Sequence, residues 1–481
     1  MIHTKKSFTL LLSILMFSLI QASDLGVALS ESIKIENQQI QYVFDTSGGR
    51  LRLISVVDKQ NGLETKLDTV YFHDGSHKSM LSLVDIKTEI IEESSLSESH
   101  QKMILAYESD QLSKRIELRL YDKSTALAID AYYKLKTNNI NQIDDWRLFS
   151  VQFQGYHHQY HMVSFSDRTD ENNTLVEEKS WLGNKKESFQ GNLVFVDDLE
   201  TGSSFFILKE SPYNTSQINY PGFDFEVEDD ELAVVGVGFE ETDLSADKWI
   251  RSYSVVFANY DGELDRLQKL REYQKCIRNP VQERGEMIMM NTWGDRNKDA
   301  NIGEEFTKKE ILACEKLGVT HFQLDDGWQE GLSKNSASTS GKKWEFWEQS
   351  DWQPNNTRFP NGFQVVVDFA KQHGVTLGLW FAPSSYQNYG RWEQDAQVLI
   401  GLYKTFGIKH FKIDGISIPT KEAEENLRQF FSTVLKETNN EVFFNLDASA
   451  GIRGGYHYLY EYGGNIFLEN RYASWGNRYY P

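Results

Sequence analysis

Two short stretches combine acids, a base and an aromatic ring at spacings that can support chemistry. In His410-Phe-Lys-Ile-Asp-Gly415 a strand period of two puts Lys412 and Asp414 on one face and Phe411 and Ile413 on the other. An ammonium beside a carboxylate keeps the acid ionised and offers a donor to a ligand hydroxyl, which suits a nucleophilic carboxylate. Such a pair in a dry site is a poor source of net stability, so a functional reading is preferred to a brace. The same parity in Phe322-Gln-Leu-Asp-Asp-Gly-Trp328 sends Gln323 and Asp325 inward, and Asp326-Gly327 opens a turn. Alone, Asp-Asp-Gly serves equally well as a turn and helix cap. Beside Lys412 and Asp414, its two carboxylates can accept hydrogen bonds from neighbouring hydroxyls of one sugar, with Trp328 as an apolar wall.

Positioning these side chains requires a particular succession of elements. After about residue 285 short apolar strands end at Asn291, Asp325, Phe381, Asp414, Asp447 and Glu469. Helical stretches alternate with them: one opened by a capping box at Thr307-Lys-Lys-Glu310, one over Phe363–His373 and one over Ala423–Leu435. Alternating strands and helices imply parallel strands joined by crossovers. All of these strand ends except Phe381 are polar, and polar chemistry collected at the C-terminal ends of parallel strands predicts a (β/α)₈ barrel. An open nucleotide-binding sheet is disfavoured, because no glycine-rich phosphate loop follows the first strand. From about residue 30 to 260 the apolar residues alternate, as in Arg115–Tyr121 and Ala128–Tyr133, which predicts an antiparallel β-sandwich without a catalytic constellation. Leu264–Tyr273, apolar at every third position, predicts a linking helix. The expected domains are thus 1–23 as a leader, 24–262 as the β domain, 263–284 as the link and 285–481 as the barrel.

Composition narrows the ligand. The 481 residues are 40% hydrophobic and 13% aromatic, enough for a large core. The net charge of −20 argues against nucleic acid or an anionic membrane surface and leaves neutral, hydroxyl-rich ligands open. Lys5 and Lys6, the apolar run Phe8–Ile20 and Gln21-Ala-Ser23 have the layout of a secretory signal, which predicts a secreted or periplasmic protein without a membrane anchor. The two cysteines, Cys276 and Cys314, permit one disulfide at most and match no metal motif.

Five motifs resemble, in order, those of the melibiase-type α-galactosidases of glycoside hydrolase family 36. They are Asn291-Thr-Trp293, Leu324-Asp-Asp-Gly-Trp328, Asp351-Trp352 with Arg358-Phe-Pro-Asn-Gly362, Gly378-Leu-Trp-Phe381 and Lys412-Ile-Asp414. The resemblance covers about 285–481 and implies a retaining glycosidase with an N-terminal β-supersandwich ahead of its barrel. It implies Asp414 as nucleophile, Asp325 and Asp326 on the 4- and 6-hydroxyls of galactose, and Lys412 on a ring hydroxyl. Trp293, Trp328 and Trp380 would line the sugar. Where the family usually has Cys-Ser-Ser-Gly-Gly-Gly-Arg, this chain reads Asp447-Ala-Ser-Ala-Gly-Ile-Arg453, so Asp447 and Arg453 would meet the sugar near its 2-position with a changed chemistry. Counting on from Arg453 places the acid/base at Glu469 in Leu468-Glu-Asn470, with Asn470 beside the substrate; a glutamate transfers the same proton from a backbone set further back.

The expected activity is hydrolysis of terminal α-galactosides of oligosaccharides or galactose-decorated polysaccharides. The alternatives are a galactosyl-transferring, raffinose-synthase-like enzyme and an inactive sugar-binding homologue. No metal or cofactor is expected, since a carboxylate pair suffices. The excursion Ser333–Trp352, with Trp344, Phe346, Trp347 and Trp352, reads as a platform for the leaving group. Six strand candidates followed by Tyr480-Pro481 suggest a barrel lacking its last two βα units. Expressed alone, the 481-residue chain is therefore expected to aggregate or to show little activity; a soluble, monomeric and fully active product in size-exclusion and activity assays would overturn that expectation.

Overall fold

In a computed structural model the described residues are 32–47, 51–71, 81–137, 147–152, 157–165, 176–183, 186–200, 202, 204–212, 214–228, 231–295, 297–447, 458, 461–462 and 465–467. The proposed leader 1–23 lies outside them.

Among the described residues the N-terminal half forms one eight-stranded and one ten-stranded sheet, and the pairings are antiparallel throughout. Alternation in sequence becomes alternation in burial: Ile40, Tyr42 and Phe44 are buried while Gln41, Val43 and Asp45 are half-exposed. The inner faces of the two sheets meet where Tyr42 and Phe149 pack against Phe257, with ring centroids 6.4 and 5.8 Å apart.

The second half contains a parallel sheet of six described strands in chain order. They are β1 (Met289–Asn291), β2 (His321–Leu324), β3 (Thr376–Phe381), β4 (His410–Ile413), β5 (Phe443–Asp447) and β6 (Asn465–Phe467). The main crossover helices are α2 (Glu304–Leu317), α3 (Phe363–Gln372), α4 (Trp392–Phe406) and α5 (Lys421–Glu437), and α1 (Gly262–Ile277) links the halves. This is the curved, half-barrel part of the architecture expected from the sequence. Phe411 and Ile413 are fully buried on the helix side, and Phe381 stacks on Phe430 of α5 at 6.0 Å.

Local details depart from or add to the sequence reading. Thr307 does not open a helix: α2 begins at Glu304, and the Thr307 hydroxyl donates back to the Gly303 carbonyl at 2.7 Å from inside the first turn. Helix α4 was not foreseen; it starts at Trp392 without a side-chain cap. In α1 only the second half of the apolar row packs, with Tyr273 buried against Tyr121 of the sandwich, while Leu264 is 85% exposed. Cys276 and Cys314 are buried and free, so the permitted disulfide is absent.

Inside the curved sheet the side chains form layers. His410 lies against Phe443 and His321, with centroids 4.6 and 5.9 Å away, and its neighbour across the sheet is Gly378. Burial, reinforced by His321, pushes the His410 imidazole down to about 3, so it is neutral. One layer higher the Asn445 amide donates to Gln323 at 3.4 Å, and above that sit the charged residues. A side chain at residue 378 would place its Cβ 2.9 Å from the His410 ring, so glycine is the residue that fits. Gly378→Ala is expected to cost about 1–3 kcal/mol as an overpacking change, read as a lower urea midpoint at unchanged slope.

Candidate functional site

The C-terminal ends of β2, β4 and β5 bring Asp325, Lys412 and Asp447 together. The Lys412 ammonium lies 2.8 Å from Asp325 Oδ2 and 3.3 Å from Asp447 Oδ2, and all three side chains are nearly inaccessible. Burial opposes its charge, but the carboxylates of Asp325, Asp447 and Asp414 outweigh that and hold Lys412 well above the usual lysine range. The sequence reading paired Lys412 with Asp414 alone. In the structure Lys412 reaches across β3 toward β2 and sideways toward β5, because the side chain is longer than the spacing between neighbouring strands.

Asp325 is fixed from every side. Its Oδ2 also accepts from Asn291 Nδ2 at 3.0 Å, its own amide donates to Thr292 Oγ1 at 2.9 Å, and its Oδ1 accepts from the Asp326 amide at 2.8 Å. Asn291 and Thr292 were visible as part of a motif, but nothing in their types announced that they position this carboxylate. Asp326 is held by Gln329 Nε2 at 2.8 Å and by the Ser333 hydroxyl. Each carboxylate oxygen has two acceptor directions, so capacity for a ligand hydroxyl remains. Gly327 is obligatory between them and the turn: its φ is +120°, and a Cβ there would lie 2.5 Å from Asp299 Cβ. Asp299 in turn receives Arg358 at 3.0 Å, the Ser336 hydroxyl at 2.8 Å and the Ala337 amide at 2.6 Å, so one carboxylate ties the β1–α2 and β2–α3 connections together.

Asp414 follows β4 and is only partly buried, more accessible than Asp299, Asp325, Asp326 and Asp447. Its Oδ2 accepts from Trp380 Nε1 at 3.0 Å and its amide donates to the Phe381 carbonyl at 2.9 Å. Trp380 is 1% exposed, so it serves the acid more directly than it can serve a ligand. Trp328 is corrected as an apolar wall: it is fully buried, donates to the Trp380 carbonyl at 2.8 Å and packs against Trp352 and Phe363. Trp347 and Trp352 are buried as well, lying 6.0 and 5.5 Å from Trp380. The tryptophans expected to form a platform are therefore mostly the packed support that aims Trp380 at Asp414. Trp344, half-buried, and Phe346, 53% exposed, remain open to solvent. The Trp344 ring stands over Gly415, where an added Cβ would lie 3.5 Å from it. Trp293 is half-buried, its amide donating to Asn291 Oδ1 at 2.8 Å. Arg453, Glu469 and Asn470 lie outside the described residues. No cluster of three or more metal-ligating side chains occurs among the described residues.

The arrangement is a set of acceptors around one cation, with an accessible carboxylate at its edge. Residues 254–391 match the Melibiase family model. The chain is 25% identical over 175 residues to α-galactosidase Mel36A of Lactobacillus acidophilus, covering 34% of this chain and 22% of that protein. It is 23% identical over 116 residues to an α-galactosidase of Escherichia coli, covering 23% of this chain and 15% of the other. The matched segments thus span under a quarter of these relatives. In fold the likeness is broader. The family 36 α-galactosidase AgaB of Geobacillus stearothermophilus superposes with a TM-score of 0.62 at 12% identity, over 91% of this chain and 74% of that one. A variant of AgaA from the same organism, solved in complex with raffinose, gives a TM-score of 0.60 at 13% identity over 91% and 75%. The chain is thus similar to α-galactosidases in sequence over part of its length, including its first barrel units, and resembles family 36 α-galactosidases in fold over most of its length.

Burial raises the Asp326 carboxyl to about 6 from 3.8, against the lowering effect of Ser333 and Gln329, and the Asp325 charge raises it further. Between those two values the folded protein binds a proton that the unfolded chain has released, so this group makes stability fall as pH rises through that window. Asp326→Asn is expected to remove that decline, checked by urea unfolding at the two ends of the window; an unchanged slope would show that Asp326 is ionised throughout.

Proposed function

We propose that this relative of the melibiase-type α-galactosidases is a retaining exo-glycosidase that hydrolyses terminal α-galactosides by double displacement. The observation that carries the reading is the row of Asp325, Lys412 and Asp447 beside an accessible Asp414 fixed by Trp380. Asp414 Oδ attacks the anomeric carbon, forming a glycosyl ester as the leaving oxygen takes a proton from Glu469; water, deprotonated by Glu469, then cleaves the ester. Asp325 and Asp326 accept hydrogen bonds from the 4- and 6-hydroxyls, and the Lys412 ammonium donates to the hydroxyl between Asp325 and Asp447. Trp293, Arg453 and Asn470 complete the sugar pocket, and Trp344 with Phe346 offers apolar surface to the leaving group. Residues 24–262 form the β domain, 263–284 the link and 285–481 the catalytic domain, and residues 1–23 direct export.

A gluco-configured substrate turns its 4-hydroxyl away and leaves the buried Asp325 acceptor short of a donor, at a cost of roughly 1–3 kcal/mol. Galactosides are therefore expected to be cleaved much faster than glucosides, and comparable kcat/KM on the two nitrophenyl substrates would refute the role of Asp325. Asp414→Asn is expected to abolish turnover on every substrate. Glu469→Gln is expected to cripple substrates with poor leaving groups while activated aryl galactosides still react and azide restores the second step. NMR should detect α-galactose as the first product; β-galactose would rule out retention.

A further inference from the structure

The connection from β3 to α4 contains a stretch of backbone that side chains rarely adopt. Gln387, Asn388 and Tyr389 have φ of +48°, +55° and +62°, three left-handed residues in succession and none of them glycine. Left-handed residues with a Cβ ordinarily occur singly, so such a run survives only where the surroundings over-determine it. Here Asn388 and Tyr389 are both tied to the segment that follows β4. Asn388 Nδ2 donates to Glu422 Oε2 at 2.7 Å, and its carbonyl accepts from Asn426 Nδ2 at 2.8 Å, both partners lying on α5. Tyr389 is 1% exposed, and its phenol oxygen accepts from the Ser417 amide at 2.8 Å and donates to the Gly415 carbonyl at 3.4 Å. Gln387, in contrast, is exposed, and its carbonyl closes the turn by accepting from the Gly390 amide at 3.0 Å.

What the phenol holds is the turn beside Asp414. Gly415 has a φ of +69°, and its amide donates to Asp414 Oδ1 at 2.5 Å while Trp380 Nε1 donates to Oδ2 at 3.0 Å. The carboxylate is thus oriented by one donor on β3 and by one main-chain donor whose next two peptides are bonded to Tyr389. A glycine has many other conformations within reach, so without that anchor its amide would leave the carboxylate for part of the time. Resting on the reading of Asp414 as the nucleophile of an α-galactosidase, we propose that Tyr389 is a positioning residue for the reaction. Its phenol, delivered by the strained turn, keeps the Asp414 carboxylate aimed at the anomeric carbon. The phenol is committed to main-chain groups and acts on the geometry of attack, so its removal weakens the chemical step and not the affinity for the sugar.

The test compares Tyr389→Phe with Gln387→Gly in the full chain. The first removes the phenol oxygen and keeps the ring; the second keeps the phenol and supplies a residue that adopts the left-handed backbone freely. Tyr389→Phe is expected to lower kcat/KM on nitrophenyl α-galactoside about ten- to hundredfold while calorimetric affinity for galactose stays within about twofold. Hydrogen exchange at the amides of residues 415–417, read by mass spectrometry, is expected to be faster in that variant. Gln387→Gly is expected to leave kcat/KM and galactose affinity within about twofold of the unaltered chain. Unchanged kcat/KM or unchanged exchange in Tyr389→Phe would overturn the proposal, as would a loss of galactose affinity equal to the loss of kcat/KM. A loss in Gln387→Gly as large as that in Tyr389→Phe would overturn it too, since the phenol is untouched there. If the unaltered chain hydrolyses no galactoside while Tyr389→Phe still speeds exchange, the glycosidase reading fails and the phenol remains the anchor of the turn. No hydrolysis together with unchanged exchange would refute both.

Discussion

An ammonium taken out of water is costly, and Lys412 is buried to within 2% of complete. What makes that tolerable is the ring of carboxylates drawn from neighbouring strands, and the same ring would be intolerable without the lysine. Each charge is thus a condition for the others. Their mutual dependence constrains the register of β2, β4 and β5, because a one-residue slip in any of these strands would turn an acid or the base into the helix layer.

Around this centre the other features act as supports. Asn291 and Thr292 extend from β1 to orient Asp325, so the strand farthest from Lys412 along that side still contributes to the site. The packed indoles of Trp328, Trp347 and Trp352 hold Trp380, whose ring nitrogen reaches Asp414 at 3.0 Å. Below, neutral His410 and the Gln323–Asn445 contact fill the sheet interior without adding charge, which keeps the electrostatics of the mouth set by its own residues.

Much of this was legible in the sequence, because the strand period of two and the alternation with helices are strong, repetitive signals. Lys412, Asp414 and Asp325 were identified as inward-facing on parity alone, and the structure places them at the C-terminal ends of β2 and β4, on either side of β3. Parity, however, says which face a residue occupies and not how far its side chain reaches. That is why Lys412 was paired with Asp414 when its 2.8 Å partner is two strands away. Aromatic residues were misread for a related reason. Trp328 and Trp352 have the composition of a sugar-binding surface, but whether an indole faces solvent or core depends on contacts far apart in the chain, such as that between Trp352 and Phe381 at 4.3 Å. Helix α4 escaped notice, and Thr307 misled because a hydroxyl near a helix start can bond backward as well as cap forward.

The clamp at Asp299 bears on how the rim can change over evolutionary time. The segment Ser336-Ala-Ser-Thr-Ser340 is held through one hydroxyl and one main-chain amide, both ending on the same carboxylate. A main-chain donor is supplied by any residue except proline. Side chains of that segment other than Ser336 are therefore freer to drift, and the rim can be re-lettered for a different ligand while Asp299, Arg358 and Gly327 preserve the turn that carries Asp326.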